Sequence, residues 1–151
     1  MKIPFYQTIR LSLFLLFCTH VLDVQAVTIE SAGTGNWGTT TTWVGGVIPV
    51  AGDDVVIKAT HVVTLSDTRS CATLTVETNA TFNHSGVLNN SGAFLNQGTT
   101  VWAGTFNGSG SITNAGTLNI SGIGNHNTAA NITNNAGKTI NWTDGQLDLN
   151  G

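Results

Sequence analysis

A six-residue period organises the second half of the chain. Glycine recurs at every sixth position, giving the series Gly86, Gly92, Gly98, Gly104, Gly110, Gly116 and Gly122. Two positions after the first six of these glycines the residues are mostly apolar: Leu88, Phe94, Thr100, Phe106, Ile112 and Leu118. Phe82, six residues before Leu88, extends the same register backwards. An α-helix has a period of 3.6 residues, and a β-meander needs longer strands between its turns. The period therefore predicts a β-solenoid, in which each hexad supplies a short strand with one inward residue and then a corner.

The residues around each glycine are typical of corners. Asn or Gly stands two positions before four of the repeated glycines, Gly92, Gly98, Gly110 and Gly116, as in Asn90–Ser91–Gly92 and Asn114–Ala115–Gly116. Asn tolerates the left-handed backbone region and Gly enters it freely, and a chain that turns repeatedly in one sense requires that region. The repeated glycines are therefore predicted to be structural turn residues.

Three hexads per coil would place residues eighteen positions apart on top of one another. The stacked pairs would be Leu88 on Phe106, Phe94 on Ile112, and Asn96 on Asn114. Each buried Leu, Ile or Phe would contribute about 1.5–3 kcal/mol. The predicted fold is an all-β parallel β-helix whose core stack contains Phe82, Leu88, Phe94, Phe106, Ile112 and Leu118.

The chain divides into a predicted signal peptide at 1–26, an N-terminal cap with the first coils at 27–82, and the hexad-repeat solenoid at 83–151. The second segment is not periodic, but it contains short β-branched runs bounded by turn formers, which predict strands at 54–58, 61–65 and 74–77. After Gly122 the period breaks, and 124–129 is predicted to be a loop that bulges from a corner.

Strand-like runs then return at 131–133, 139–142 and 146–149. The chain stops within this pattern without a polar closing segment, which solenoids normally need because their last coil exposes an unpaired edge. This predicts that the sequence is the front part of a longer protein. It also predicts end-to-end self-association of the isolated chain.

The first segment has the features of a secretory leader. Lys2 and Arg10 precede a mostly apolar run at 11–22, and Val24–Gln25–Ala26 suits a signal peptidase. The run is shorter than the roughly 20 residues of a membrane span. A secreted or cell-surface location without a membrane span in the mature chain is expected, with a retained N-terminal anchor as the alternative.

Removal of this leader would leave Cys71 as the sole cysteine, which excludes an intramolecular disulfide. A buried thiol that acts as a small hydrophobic group is expected there, with a reactive thiol as the alternative.

Charge is scarce and disfavours several functions. Charged residues make up 9% of the chain, against about 25% in ordinary globular proteins. The mature cations, Lys58, Arg69 and Lys138, are scattered, so neither nucleic acid nor an anionic membrane is an expected partner. The region from Gly86 to Gly122 contains no Asp, Glu, Lys or Arg, so neither catalysis nor a cofactor is expected.

Two residue pairs are candidate sites. Asp53 and Asp54 are adjacent carboxylates that point to opposite faces of a strand, which favours strand entry and turn capping, with a calcium site as the alternative. Trp37 and Trp43 are either a carbohydrate-facing pair or a cap over the open first coil, and the cap is favoured.

An ordered phrase precedes the hexads and carries a family resemblance. It consists of Gly35–Trp37, Thr42–Pro49, Gly52–Ile57 and His61–Leu65. The phrase resembles the head of large, adhesin-like secreted repeat proteins of Bacteroidetes-type bacteria. It also resembles the extracellular domain named for its eight glycines, found in cell-surface and hyaluronan-processing proteins. The bacterial resemblance is the nearer one, because this chain has fewer glycines than the second family. Either resemblance implies a parallel β-helix, right-handed in these families.

The sequence therefore favours a non-catalytic structural or adhesive module that displays or spaces other extracellular domains. The alternative is a module that binds surface glycans through Trp37, Trp43 and the outward Asn and Thr rows. Ice binding is a remote alternative, because the stacked outward positions mix Thr with Val, Ala and Ser.

Overall fold

The regular secondary structure of the described residues is almost entirely β-strand. The computed structural model describes residues 26–122, 125–127, 130–144 and 146–148. The strands are β1 (Thr28–Glu30), β2 (Gly35–Asn36), β3 (Asp54–Ile57), β4 (Val62–Leu65), β5 (Thr68–Cys71), β6 (Thr73–Val76), β7 (Thr81–His84), β8 (Val87–Asn90), β9 (Phe94–Asn96), β10 (Thr99–Trp102), β11 (Thr105–Gly108), β12 (Ile112–Asn114), β13 (Thr117–Ile120), β14 (Asn125–Asn127), β15 (Ile132–Asn134), β16 (Thr139–Trp142) and β17 (Gln146–Asp148). Two 3-10 turns, Thr40–Thr42 and Val44–Gly46, lie between β2 and β3.

The strands wind into three parallel faces. Face one has the strand order β1-β3-β6-β9-β12-β15, and face two has the order β16-β13-β10-β7-β4-β2. Face three contains β5, β8 and β11, and the pair β14 and β17 forms a further two-stranded sheet. Successive strands along the chain move from one face to the next, and each pairs with the strand one coil away. The predicted all-β parallel β-helix is confirmed.

The strand register confirms three hexads per coil. Phe106 pairs with Leu88, Ile112 pairs with Phe94, and Asn114 stacks on Asn96. Every one of these pairs spans eighteen residues, as the period predicts. Outside the hexads the coils are longer, because some corners contain additional residues.

Most four-residue strands bury two side-chain positions, where the sequence predicted one; β5 buries only Cys71 and β16 buries none. The alternation of half-buried and buried residues along β7, β8, β10 and β13 is regular. The predicted core residues Phe82, Leu88, Phe94, Phe106, Ile112 and Leu118 are all buried. The second inward position, which the sequence analysis missed, holds residues such as His84, Trp102 and Ile120. The core is consequently wider and more aromatic than one residue per hexad would make it.

The repeated glycines lie in bends between strands, as predicted, but most of them do not adopt the left-handed backbone conformation. Gly122, with φ of 102°, is the one member of the series with a positive φ. At Gly104 a Cβ would collide with the carbonyl oxygen of Gly86, and at Gly110 it would collide with that of Gly92. The prediction of left-handed turns is wrong for Gly86, Gly92, Gly98, Gly104, Gly110 and Gly116, because these residues are glycine to let one coil approach the next.

The structure also tests the predicted segment boundary and the predictions for the C-terminal region. The predicted boundary after Phe82 falls inside β7, which pairs with both β4 and β10. The predicted loop at 124–129 contains β14, so the loop prediction is wrong for 125–127, and the rest of that loop lies outside the described residues. The strands predicted near 131–133, 139–142 and 146–149 correspond to β15, β16 and β17.

Candidate functional site

The two tryptophans cover the N-terminal end of the core. The Trp37 and Trp43 side chains are 0% and 1% exposed. Their rings meet edge to face with centroids 5.2 Å apart, and the Trp37 ring lies 5.9 Å from that of Phe82. Trp43 Nε1 also donates a hydrogen bond of 2.7 Å to the Trp37 carbonyl. The structure supports the cap and does not support carbohydrate binding by this pair, because neither ring reaches the surface.

The two aspartates take part in local structural contacts. Asp53 Oδ2 accepts a hydrogen bond of 2.9 Å from the Val50 N–H, which caps the turn before β3. Asp54 Oδ1 accepts one of 2.6 Å from Thr73 Oγ1 on the adjacent strand β6. In the part of the chain that the structure describes, no three His, Cys, Asp or Glu side chains come together as a metal site would require. These contacts are the strand-entry and turn-capping roles that the sequence favoured.

Cys71, the one cysteine among the described residues, is buried at the end of β5. Burial raises the pKa of the Cys71 thiol to about 11, and the hydrogen bond of 3.4 Å from Asn90 Nδ2 only partly offsets this effect. A thiol with such a pKa is protonated at neutral pH and is a poor nucleophile. The expected buried thiol is present.

A ladder of asparagines, with Asn96 and Asn114 buried and Asn134 exposed, runs along the edge between faces one and two. Asn96 Nδ2 donates to Asn114 Oδ1 at 2.8 Å, and Asn114 Nδ2 donates to Asn134 Oδ1 at 2.7 Å. The same amides also donate at 2.9 Å to the carbonyl oxygens of Thr117 and Thr139. The sequence analysis predicted that Asn96 stacks on Asn114 but interpreted both as corner residues, whereas they face inward. Recurrence of Asn at an inward position one coil apart was the signal for this ladder.

The described ionic contacts lie in the first coils. Lys58 Nζ is 2.6 Å from Glu77 Oε1 and 3.5 Å from Glu30 Oε1. The hydrogen bond from Lys58 lowers the pKa of Glu77, and the Ala59 N–H adds to this effect. Arg69 similarly pairs with Asp67 and lowers its pKa. These groups stabilise corners and do not converge on a cleft.

The outer surface of face two has an ordered file of threonines. Thr81, Thr99, Thr117 and Thr139 lie in register on successive strands. The adjacent outward file is mixed, with Thr64, Asn83, Val101, Asn119 and Asn141 in order. The mixed second file gives no support to the ice-binding alternative.

Comparison with known proteins places the chain in a family. The model of the G8 domain matches residues 42–151. The chain belongs to the G8 domain family. This G8 match begins at the Thr-Trp pair of the ordered phrase and includes the described coils from β3 onward. No curated protein and no solved structure gave a significant match.

The family agrees with the eight-glycine resemblance. The resemblance to bacterial adhesin-like proteins stays a prediction. Within the described ranges, no helix of this G8 domain has the length and apolar character that crossing a membrane requires.

Proposed function

We propose that this G8 domain is a non-catalytic structural module of a secreted or cell-surface protein, which spaces or displays neighbouring extracellular domains. The observation that carries the proposal is the continuous in-register stack of strands on faces one and two. A stack of this kind forms a stiff element whose length increases with the number of coils. Its outward rows of Thr and Asn keep it hydrated with little charge.

The placement of the ionisable groups supports a non-catalytic role. Acid–base catalysis needs groups that converge on a substrate with suitable pKa values. Here Asp54 is bonded to Thr73, and Glu77 is bonded to Lys58. The Cys71 thiol is buried beneath face three. Each of these side chains has a structural partner that accounts for its position.

Two features support an extracellular location. G8 domains are typically extracellular, and 1–26 has the pattern of a signal peptide, although 1–25 lies outside the described residues. Surface glycans and other extracellular domains are the proposed partners.

Export tests the location directly. The chain 1–151 with a C-terminal epitope, produced in a secretory host, should lose the leader and reach the medium or the cell surface. A variant that lacks residues 2–26 should stay inside the cell. Retention of both chains in the cytoplasm would contradict the proposal, and mass spectrometry of the exported product would locate the cleavage.

A further inference from the structure

A polar notch interrupts the edge between faces one and two. The corners of this edge have unequal lengths, because four residues connect the strands at 77–80 and 135–138, whereas only two connect them at 97–98 and 115–116. The two coils with short corners therefore lie back from the edge. A longer turn projects on either side of them.

Hydrogen bonds fix both the rims and the floor of this notch. The projecting turns are closed by bonds from the Ala80 N–H to the Glu77 carbonyl at 2.9 Å and from the Lys138 N–H to the Asn135 carbonyl at 3.1 Å. Beneath the short corners, the asparagine ladder bonds to the backbone of β13 and β16. The notch is therefore a preformed feature of the solenoid surface.

The lining is almost entirely neutral and rich in hydrogen-bonding groups. The notch encloses about 310 Å³ and is lined by Thr78, Asn79, Gln97, Gly98, Thr99, Gly116, Thr117, Gly137, Lys138 and Thr139. Thr99, Thr117 and Thr139 lie in register on three adjacent strands. Among the described residues no carboxylate lines it, which argues against a metal cation, and Lys138 is the single charged side chain that they contribute.

We propose that this notch binds a short segment of a neutral oligosaccharide. Hydroxyl and amide groups both donate and accept hydrogen bonds, as sugar hydroxyls do. Successive coils are separated by about 4.8 Å, comparable to the length of one pyranose ring, so successive threonines would meet successive sugar units. The projecting turns are three coil intervals apart, or about 14 Å, which limits the bound segment to two or three units.

This proposal rests on the extracellular role proposed above, because a surface module encounters glycans there. It uses residues different from the buried Trp37 and Trp43. A single Lys138 offers too little positive charge to favour a polyanionic glycan over a neutral one.

Binding of defined sugars tests the notch. The chain would be produced without N-glycosylation, because Asn79–Ala80–Thr81 is an acceptor sequence on the rim. The probes would be β-linked oligomers of glucose and of N-acetylglucosamine, from one to five units, titrated by NMR or calorimetry. The Kd should fall from one to three units and then level off.

Matched valine substitutions locate the site. The double variant T99V/T117V keeps the side-chain shape and removes two hydroxyls, so the Kd for the trimer should rise roughly tenfold. T105V is the control, because Thr105 also follows a repeated glycine and is half-buried, but lies on face three. Its Kd should equal that of the unmodified chain. Circular dichroism should show the same β spectrum for all three proteins.

Several results would overturn the proposal. These are no saturable binding of any oligomer, equal weakening in T105V, or tighter binding of uronic-acid oligomers than of neutral ones. Since export does not depend on these sugars, loss of binding with normal export would remove the glycan site and leave the structural role intact.

Discussion

Glycine at the repeated positions lets the coils come into contact. At Gly110 a side chain would occupy the space of the Gly92 carbonyl group, and this neighbour is backbone that cannot rotate away. Gly110→Ala should therefore destabilise the protein by about 1–3 kcal/mol through overpacking. Thermal or denaturant unfolding measures the change.

The control for this substitution is Gly33→Ala. No atom lies within 4 Å of the Cβ that would be added at Gly33. Gly33→Ala should change the free energy of unfolding by no more than about 0.5 kcal/mol. Equal effects at the two glycines would show that contact between coils is not what requires glycine at the hexad position.

The inward and outward asparagines should differ in importance. Asn114 is 0% exposed and donates to both Asn134 Oδ1 and the Thr139 carbonyl. Asn114→Ala leaves these acceptors without that donor and should cost about 1–3 kcal/mol in the free energy of unfolding. Asn107, which donates to Asn89 on the outer surface, is the control, and its replacement by Ala should be nearly neutral. A neutral Asn114→Ala would mean that the asparagine ladder adds no stability.

Residue type alone could not distinguish the inward asparagines from the outward ones. The hexad period predicted the stacking of Phe94 on Ile112, because strict repetition translates directly into register. It did not predict that Asn96 points inward, because asparagine is equally typical of an exposed corner. Burial of polar residues is decided by whether the adjacent coils supply hydrogen-bond partners, and that information is non-local.

At the scale of elements, the segment between β2 and β3 acts as a cap. Trp37 is fully buried between Trp43 and Phe82, so Trp37→Ala should cost about 3–5 kcal/mol. Trp142 is 47% exposed, and Trp142→Ala should cost clearly less. Comparable losses in chemical denaturation would argue against the cap.

The charged corner next to this cap makes stability depend on pH. The folded-state pKa of Glu77 is lowered by the hydrogen bond from Lys58 and then by the Ala59 N–H. Its contribution is therefore present above the ordinary glutamate pKa of about 4.3. The contribution is lost as the pH falls through the lower folded-state value.

Glu77→Gln should consequently flatten the acid side of a stability–pH profile while leaving the neutral region almost unchanged. The effect should be small, because both partners are about one third exposed and solvent screens them. Gln at position 77 retains an oxygen that can accept from the Ala59 N–H. Melting temperatures between pH 3 and pH 7 measure the slope, and an unaltered acid limb would assign the pH dependence to other carboxylates.

The notch shows why the exact ends of strands are harder to predict from sequence than the inward residues within them. Its existence depends on the difference between four-residue and two-residue corners, which becomes visible only when both strand ends are known. The predicted strand at 74–77 extends beyond the observed end of β6 at Val76. An error of one residue at such a position is enough to hide a change in corner length.

At the scale of the whole molecule, the hexad repeat should allow the solenoid to be shortened by one complete coil at a time. Deletion of 94–111 removes β9, β10 and β11 and joins Ala93 to Ile112. Ile112 would then stack on Leu74, and Leu118 would stack on Phe82, so both inward rows remain continuous. The shortened chain should keep its β spectrum and be exported. Its length by small-angle scattering should decrease by about 4.8 Å, one strand spacing.

Deletion of 94–102 is the matched control. It removes nine residues, which is half a coil, so the remaining strands are displaced to the wrong faces and the glycines no longer meet the carbonyls of the coil below. This variant should fail to fold or be retained in the cell. If the half-coil deletion were tolerated as well as the full-coil deletion, the stacked register would not be what holds the solenoid together. A spacer function that depends on whole coils would then lose its physical basis.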